Sequence, residues 1–139
     1  MDTTRRQVIQ YPSEKQIARI NQIQIELKGG LPFVPPFNYR PQAPTIPLIL
    51  DTISEMIFGV ELYVSLCNKA AALAWKINEG QVFNDANKRT GMSAAIAMMK
   101  INQQRIHAST TEIVDISIAV GTGRCTAEEL GVWFFRHAI

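Results

Sequence analysis

Between positions 81 and 91 the chain reads Gln81-Val82-Phe83-Asn84-Asp85-Ala86-Asn87-Lys88-Arg89-Thr90-Gly91. Asp85 or Asn87 would cap a helix that follows. Lys88 and Arg89 then fall in its first turn, where unpaired N–H groups and about half a positive charge already sit. Cations at that end are unfavourable by roughly a few tenths of a kcal/mol each. The arrangement makes sense if an anion docks there: free N–H groups, a lysine and an arginine converge on a phosphate. Asp85 beside a phosphate suits Mg²⁺, which prefers one or two carboxylates plus phosphate oxygens. A solvated helix start, with Asp85 as cap and both basic side chains in water, fits the same residues.

The flanking elements read as helices. Ser13-Glu14-Lys15-Gln16 has the form of a capping box, and Ile17, Ile20, Ile23 and Leu27 recur at helical spacing until Gly29-Gly30. This predicts a first helix over 13–28. Residues 29–46 follow as a stiff proline- and aromatic-rich loop, since Leu31 to Pro47 holds six of the seven prolines. Pro47 suits the first turn of a helix through Ile49, Leu50, Ile53 and Ile57. Gly59 marks a break, and Val60 to Asn78 reads as a long alanine-rich helix with Gly80 just past its end. Asn87 to Arg105 reads as a helix apolar nearly all round, hence central and buried. Ser109-x-x-Glu112 and Thr126-x-x-Glu129 open two more, separated by Gly121-Thr122-Gly123. Gln7 to Gln10 is the one candidate strand. The fold class is all-α, a helical bundle around a central buried helix.

At 139 residues and 47% hydrophobic content the chain is expected to form a single domain over 1–139. No apolar run approaches a membrane span, and the N-terminus lacks the apolar stretch of a secretory signal, so the expected location is the cytoplasm. A net charge of +2 is too small for a nucleic-acid footprint. Cys67 and Cys125 are read as reduced, packed thiols.

Phe83-Asn84-Asp85-Ala86-Asn87-Lys88-Arg89-Thr90 resembles the signature of the Fic/Doc superfamily, in particular the His-x-Phe-x-Asp-Ala-Asn-Lys-Arg-Thr of its Doc (death-on-curing) branch. Gly29-Gly30-Leu31-Pro32 resembles the turn after the Doc first helix, and Asp115 to Leu130 resembles its C-terminal helix pair. The resemblance implies a helical Fic fold and a phosphate-binding loop leading into a helix. It implies ATP and Mg²⁺ as cofactors, with Asp85 holding the metal and Asn84, Ala86, Asn87, Lys88 and Arg89 forming the nucleotide site. Phe83 would anchor the loop in the core. Fic proteins mostly transfer adenylyl groups and carry glycine at the position of Lys88. Doc-like members carry lysine and act as kinases that phosphorylate elongation factor Tu.

The family's catalytic histidine falls at position 81, where this chain has Gln81. Glutamine has no titratable group and cannot act as a general base. His107 lies roughly 25–30 Å along the next helix at 1.5 Å per residue, too far to substitute. Gln81 suits both a homologue that has lost its base and a substitution made to disarm a toxin. The resemblance therefore implies a crippled Doc-like toxin acting on a translation factor; the alternative is a non-catalytic Fic-fold protein that binds a nucleotide or a protein. No Ser/Thr-x-x-x-Glu-Gly/Asn inhibitory pattern lies in a helix outside the core. Control is thus expected from a separate antitoxin, as in Doc-like systems. Phe33, Phe37 and Tyr39 either form an exposed stripe for this partner or substrate, or fold back on the helices.

Overall fold

The computed structural model describes residues 8–57 and 60–139. Six helices follow in order: α1 (Glu14–Lys28), α2 (Ile46–Ser54), α3 (Leu66–Gly80), α4 (Asn87–Ile101), α5 (Thr110–Gly121) and α6 (Ala127–His137). A two-stranded antiparallel hairpin, β1 (Met56–Ile57) and β2 (Val60–Glu61), links α2 to α3. One hydrophobic cluster draws residues from all six helices, among them Ile17, Ile53, Leu73, Met98, Val120 and Phe134. The chain is all-α apart from the hairpin, and among the described residues no helix is long and apolar enough to cross a membrane.

Three capping boxes form as the sequence predicts, at Ser13/Gln16, Ser109/Glu112 and Thr126/Glu129. Each closes over three residues, so its formation depends little on the rest of the fold. The bundle centres on two helices, α3 and α4. Their approach is close because α3 offers the run Ala70-Ala71-Ala72 and Ala74, and α4 offers Gly91. A Cβ on Gly91 would stand 2.7 Å from the Ala74 carbonyl oxygen, so the two backbones touch.

Several boundaries differ from expectation. The predicted helix over Val60 to Asn78 begins only at Leu66, where the Ser65 side chain accepts from the Asn68 N–H. Val60, Leu62 and Val64 ahead of it are exposed, so no buried face exists to hold a helix there. Gly80 is the last helical residue rather than the first beyond it, and Gly59 lies outside the described residues. The α4 helix stops at Ile101 instead of Arg105. The buried Asn102 amide bonds the Met98 carbonyl and both backbone groups of Gln10, and Gln103 turns to a positive φ of 67°. The predicted strand does not form among the described residues: Gln7 lies outside them, residues 8–10 are in no strand, and Gln10 pairs with the Asn102 side chain instead. The buried face of α1 is Ile17, Ala18, Asn21 and Ile25; Ile20 and Ile23 are half-buried and Leu27 is 70% exposed. In α6, Phe134 is buried while the adjacent Phe135 is 75% exposed.

Candidate functional site

Gln81 ends α3 in the left-handed conformation, φ 48°, and turns the chain toward α4. Its side chain donates back to the Asn78 carbonyl at 2.7 Å. Its own carbonyl accepts from Arg40 Nε at 2.7 Å, and Arg40 also donates to the Gly80 carbonyl. A guanidinium on the last carbonyls of a helix satisfies groups with no helical partner and meets the negative end of the dipole.

The next five residues form a clamped loop. Phe83 is fully buried and stacks on Tyr39 with centroids 5.8 Å apart. Burying such a ring stabilises by about 1.5–3 kcal/mol. Asn87, itself buried, accepts from the Phe83 N–H and donates to the Phe83 carbonyl, both at 2.9 Å. Asn84 donates to the Asn38 side chain and, through its backbone, to the Asn38 carbonyl. Asn38 in turn donates to Asn21 at 2.8 Å, and Asn21 donates to the Asp85 carbonyl and to Thr90 Oγ1. This asparagine relay ties the 31–44 loop, α1 and the 82–87 loop together inside the protein. The sequence signal for Asn21 is a polar residue on the otherwise apolar Ile17–Ile25 face of α1.

Asp85 points both carboxylate oxygens at backbone N–H groups, Leu31 at 2.8 Å and Ala86 at 2.7 Å. The Leu31 bond first, then the Ala86 bond, and lastly the charge of Arg89 hold the carboxyl below its ordinary 3.8; partial burial opposes them. Gly30 makes the Leu31 bond feasible. Its φ is 141°, and a Cβ there would stand 2.8 Å from Asp85 Oδ2.

Ala86 is the residue at the N-cap of α4, with φ 62° and no side-chain cap bond, correcting the expectation that Asp85 or Asn87 would fill that position. An alanine held there is strained by roughly 1–2 kcal/mol. Among the described residues no protein group accepts from the N–H groups of Asn87, Lys88 and Arg89. Arg89 donates to the Gln24 carbonyl at 3.2 Å and the Gly29 carbonyl at 2.9 Å. Half of the charge anomaly seen in the sequence is thereby resolved, since Arg89 sits at the C-terminal, negative end of α1. Lys88 is exposed, with its stem against α5.

These residues border a cleft of about 640 Å³. Its polar end carries Gln81, Asn84, Asp85, Ala86, Asn87, Lys88 and Arg89; Lys28 joins them from α1. Its apolar wall comes from Met92 and Ile96 of α4 and from Ile113, Val114 and Ile118 of α5, with hydroxyls from Ser93, Thr110 and Ser117. Lys28 and the α5 wall carry no sequence signal, because nothing local links them to the loop.

The 29–46 loop folds back only in part. The Tyr39 hydroxyl donates to Glu14 at 2.5 Å and accepts from the Ile46 N–H at 3.0 Å. Burial first and then the Glu14 carboxylate push that hydroxyl above its ordinary 10.0. Tyr39 therefore splints the loop instead of joining an exposed stripe, while Phe33 and Phe37 remain half-buried outside the core cluster. His107 is exposed beyond the far end of α4, and His137 bonds the Trp133 carbonyl in α6, so neither reaches the cleft. Both cysteines are free.

A sequence model of the Fic/DOC family matches residues 11–99, from just before α1 almost to the end of α4, and so includes the whole clamped loop. No curated protein matches the chain.

Proposed function

Since the chain belongs to the Fic/DOC family, we propose that it is a Doc-like toxin of a toxin–antitoxin pair. On this reading it is a protein phosphotransferase scaffold, directed at a translation factor such as elongation factor Tu and crippled at position 81. The observation that carries the reading is the start of α4: unclaimed N–H groups, Lys88 and an ionised Asp85 at one end of a cleft whose other wall is apolar. The donor set fits a magnesium nucleotide. The N–H groups of Asn87, Lys88 and Arg89 and the Lys88 ammonium suit phosphate oxygens. Each Asp85 oxygen accepts one N–H bond and keeps lone-pair capacity for a divalent cation. The Met92, Ile96, Ile113, Val114 and Ile118 wall suits a nucleobase, and the cleft volume lies within the range of small-molecule sites. Bound ATP–Mg²⁺ would supply the phosphoryl group.

The protein's own part is to bind and orient. The Asn87 clamp and the asparagine relay fix the loop before a ligand arrives, and Arg89 locks α1 to it. Gln81 stands at the cleft with an amide that cannot accept the proton of a target hydroxyl. Lys88→Ala is expected to weaken ATP–Mg²⁺ binding at least about tenfold, the loss of one charge-assisted contact worth about 1.4 kcal/mol. Calorimetric titration of both proteins checks this; equal affinities would overturn the phosphate site.

Control by an antitoxin belongs to the same proposal. Its C-terminal segment would pack on the 31–44 loop, where Leu31, Phe33, Val34 and Phe37 offer apolar surface and the prolines lower the ordering cost on binding. Phe37→Ala is expected to weaken the antitoxin encoded beside this gene by about 1–2 kcal/mol, roughly 5- to 30-fold in Kd. Affinity indifferent to Phe37 would move the partner elsewhere.

A further inference from the structure

Gly121 is the last residue of α5 and lies against Lys88 in the first turn of α4. A Cβ on Gly121 would overlap Lys88 Cδ and stand 2.8 Å from its Cγ and 3.0 Å from its Cε. The lysine stem thus runs through space that any other residue at 121 would fill. The backbone does not call for glycine there: Gly121 is helical and, unlike Gly29, Gly30 and Gly123, has no positive φ. A helical glycine without a conformational reason is unfavourable relative to alanine. Here the missing side chain itself is the reason.

The contact also has a charge logic. The last turn of α5 holds no basic residue of its own, and its terminal carbonyls form the negative end of the helix dipole. The Lys88 stem reaches that end from α4, and Lys88 also borders the polar end of the cleft. We propose that Gly121 is a positioning residue for Lys88: by omitting a side chain it forms the slot that holds the stem and sets the ammonium at the polar end of the cleft. This rests on the reading of that end as a phosphate site.

The test is a double-mutant cycle on Gly121→Ala and Lys88→Ala, read with inorganic tripolyphosphate by calorimetry and with thermal melting. Tripolyphosphate has no base or ribose, so it reports the polar end alone. Gly121→Ala should weaken binding about five- to tenfold, the size of one misplaced charge-assisted contact. In the Lys88→Ala background the same change should leave binding unaltered, because the stem it displaces is gone. Melting needs no ligand: Gly121→Ala should raise Tm in the Lys88→Ala background, where alanine's helix propensity acts unopposed, and raise it less or lower it with Lys88 present. If Lys88→Ala weakens binding but Gly121→Ala does not, the slot is refuted and the phosphate site stands. Equal effects of Gly121→Ala in both backgrounds, on affinity or on Tm, would also refute it. If the unmutated protein binds no tripolyphosphate, the phosphate site falls and the inference with it.

Discussion

On the proposed reading, Gln81→His should raise phosphoryl transfer by about 10²- to 10⁴-fold, the share that a positioned general base supplies. The expectation follows from how little else changes at that position. Gln81 sits at φ 48°, a left-handed conformation that histidine adopts more readily than most residues. The backbone is held by Arg40 on the Gln81 carbonyl and by the Gln81 N–H on the Asn78 carbonyl, and neither bond uses the side chain. Among the described residues, the only side-chain bond lost is Gln81 Nε2 to the Asn78 carbonyl, on exposed surface. Phosphorylation of a purified translation factor and growth arrest on expression are the two readouts. A Gln81→His protein that folds, binds ATP–Mg²⁺ as the unmutated chain does and still neither phosphorylates nor arrests growth would establish the alternative, a non-catalytic Fic-fold binding protein. The transfer itself leans on positioning and charge stabilisation, so the unmutated chain should keep a small residual rate.

Asp85→Ala should act on both binding and folding. The carboxylate latches Leu31 to the start of α4 and is the only acidic side chain lining the cleft among the described residues. Its loss should abolish the Mg²⁺ dependence of ATP binding and free the Gly29-Gly30-Leu31 turn. Two hydrogen bonds to a charged acceptor disappear; the site is open to water, so the stability loss should be about 1–2 kcal/mol, at the lower end for such bonds. Asp85→Asn should fall between, because one amide oxygen can accept one of the two N–H groups while the amide nitrogen opposes the other.

The pH dependence of that loss has a definite sign. The Asp85 carboxyl titrates below its ordinary 3.8 in the folded protein, chiefly because Leu31 and Ala86 donate to it. Its contribution is therefore fully present above the unfolded value and is lost as pH falls through the lower folded value. Urea unfolding of the unmutated protein and Asp85→Ala should show a constant gap above about pH 5 that narrows as the solution becomes more acid. A gap that widens on acidification would mean that the carboxylate is not the stabilised form.

Much of the candidate site was legible because its residues are consecutive. Phe83 to Thr90 carries its pattern in one stretch, within the residues 11–99 that the Fic/DOC family model matches. The capping boxes were legible for the same reason, since a hydroxyl and a carboxylate or amide three residues apart need only one helical turn to meet. The apolar run from Val60 misled because continuous hydrophobicity does not say which residues find a buried face, and Val60, Leu62 and Val64 do not.

The sequence by itself determined the helical class, the caps, the motif loop and the family. Each of these depends on residues a few positions apart, where backbone geometry alone fixes who meets whom. The tertiary structure decided the rest. Arg89 finds the carbonyls of Gln24 in α1 and of Gly29 just past it, 65 and 60 residues away, Asp85 finds Leu31 at a separation of 54, and Asn21 finds Asp85 and Thr90 across 64 and 69. Gly121 meets Lys88 only because α5 ends on the first turn of α4. No period or spacing encodes such pairs. They arise when packing of the apolar faces brings helix ends together, and the polar groups stranded there must then satisfy one another or remain free for a ligand.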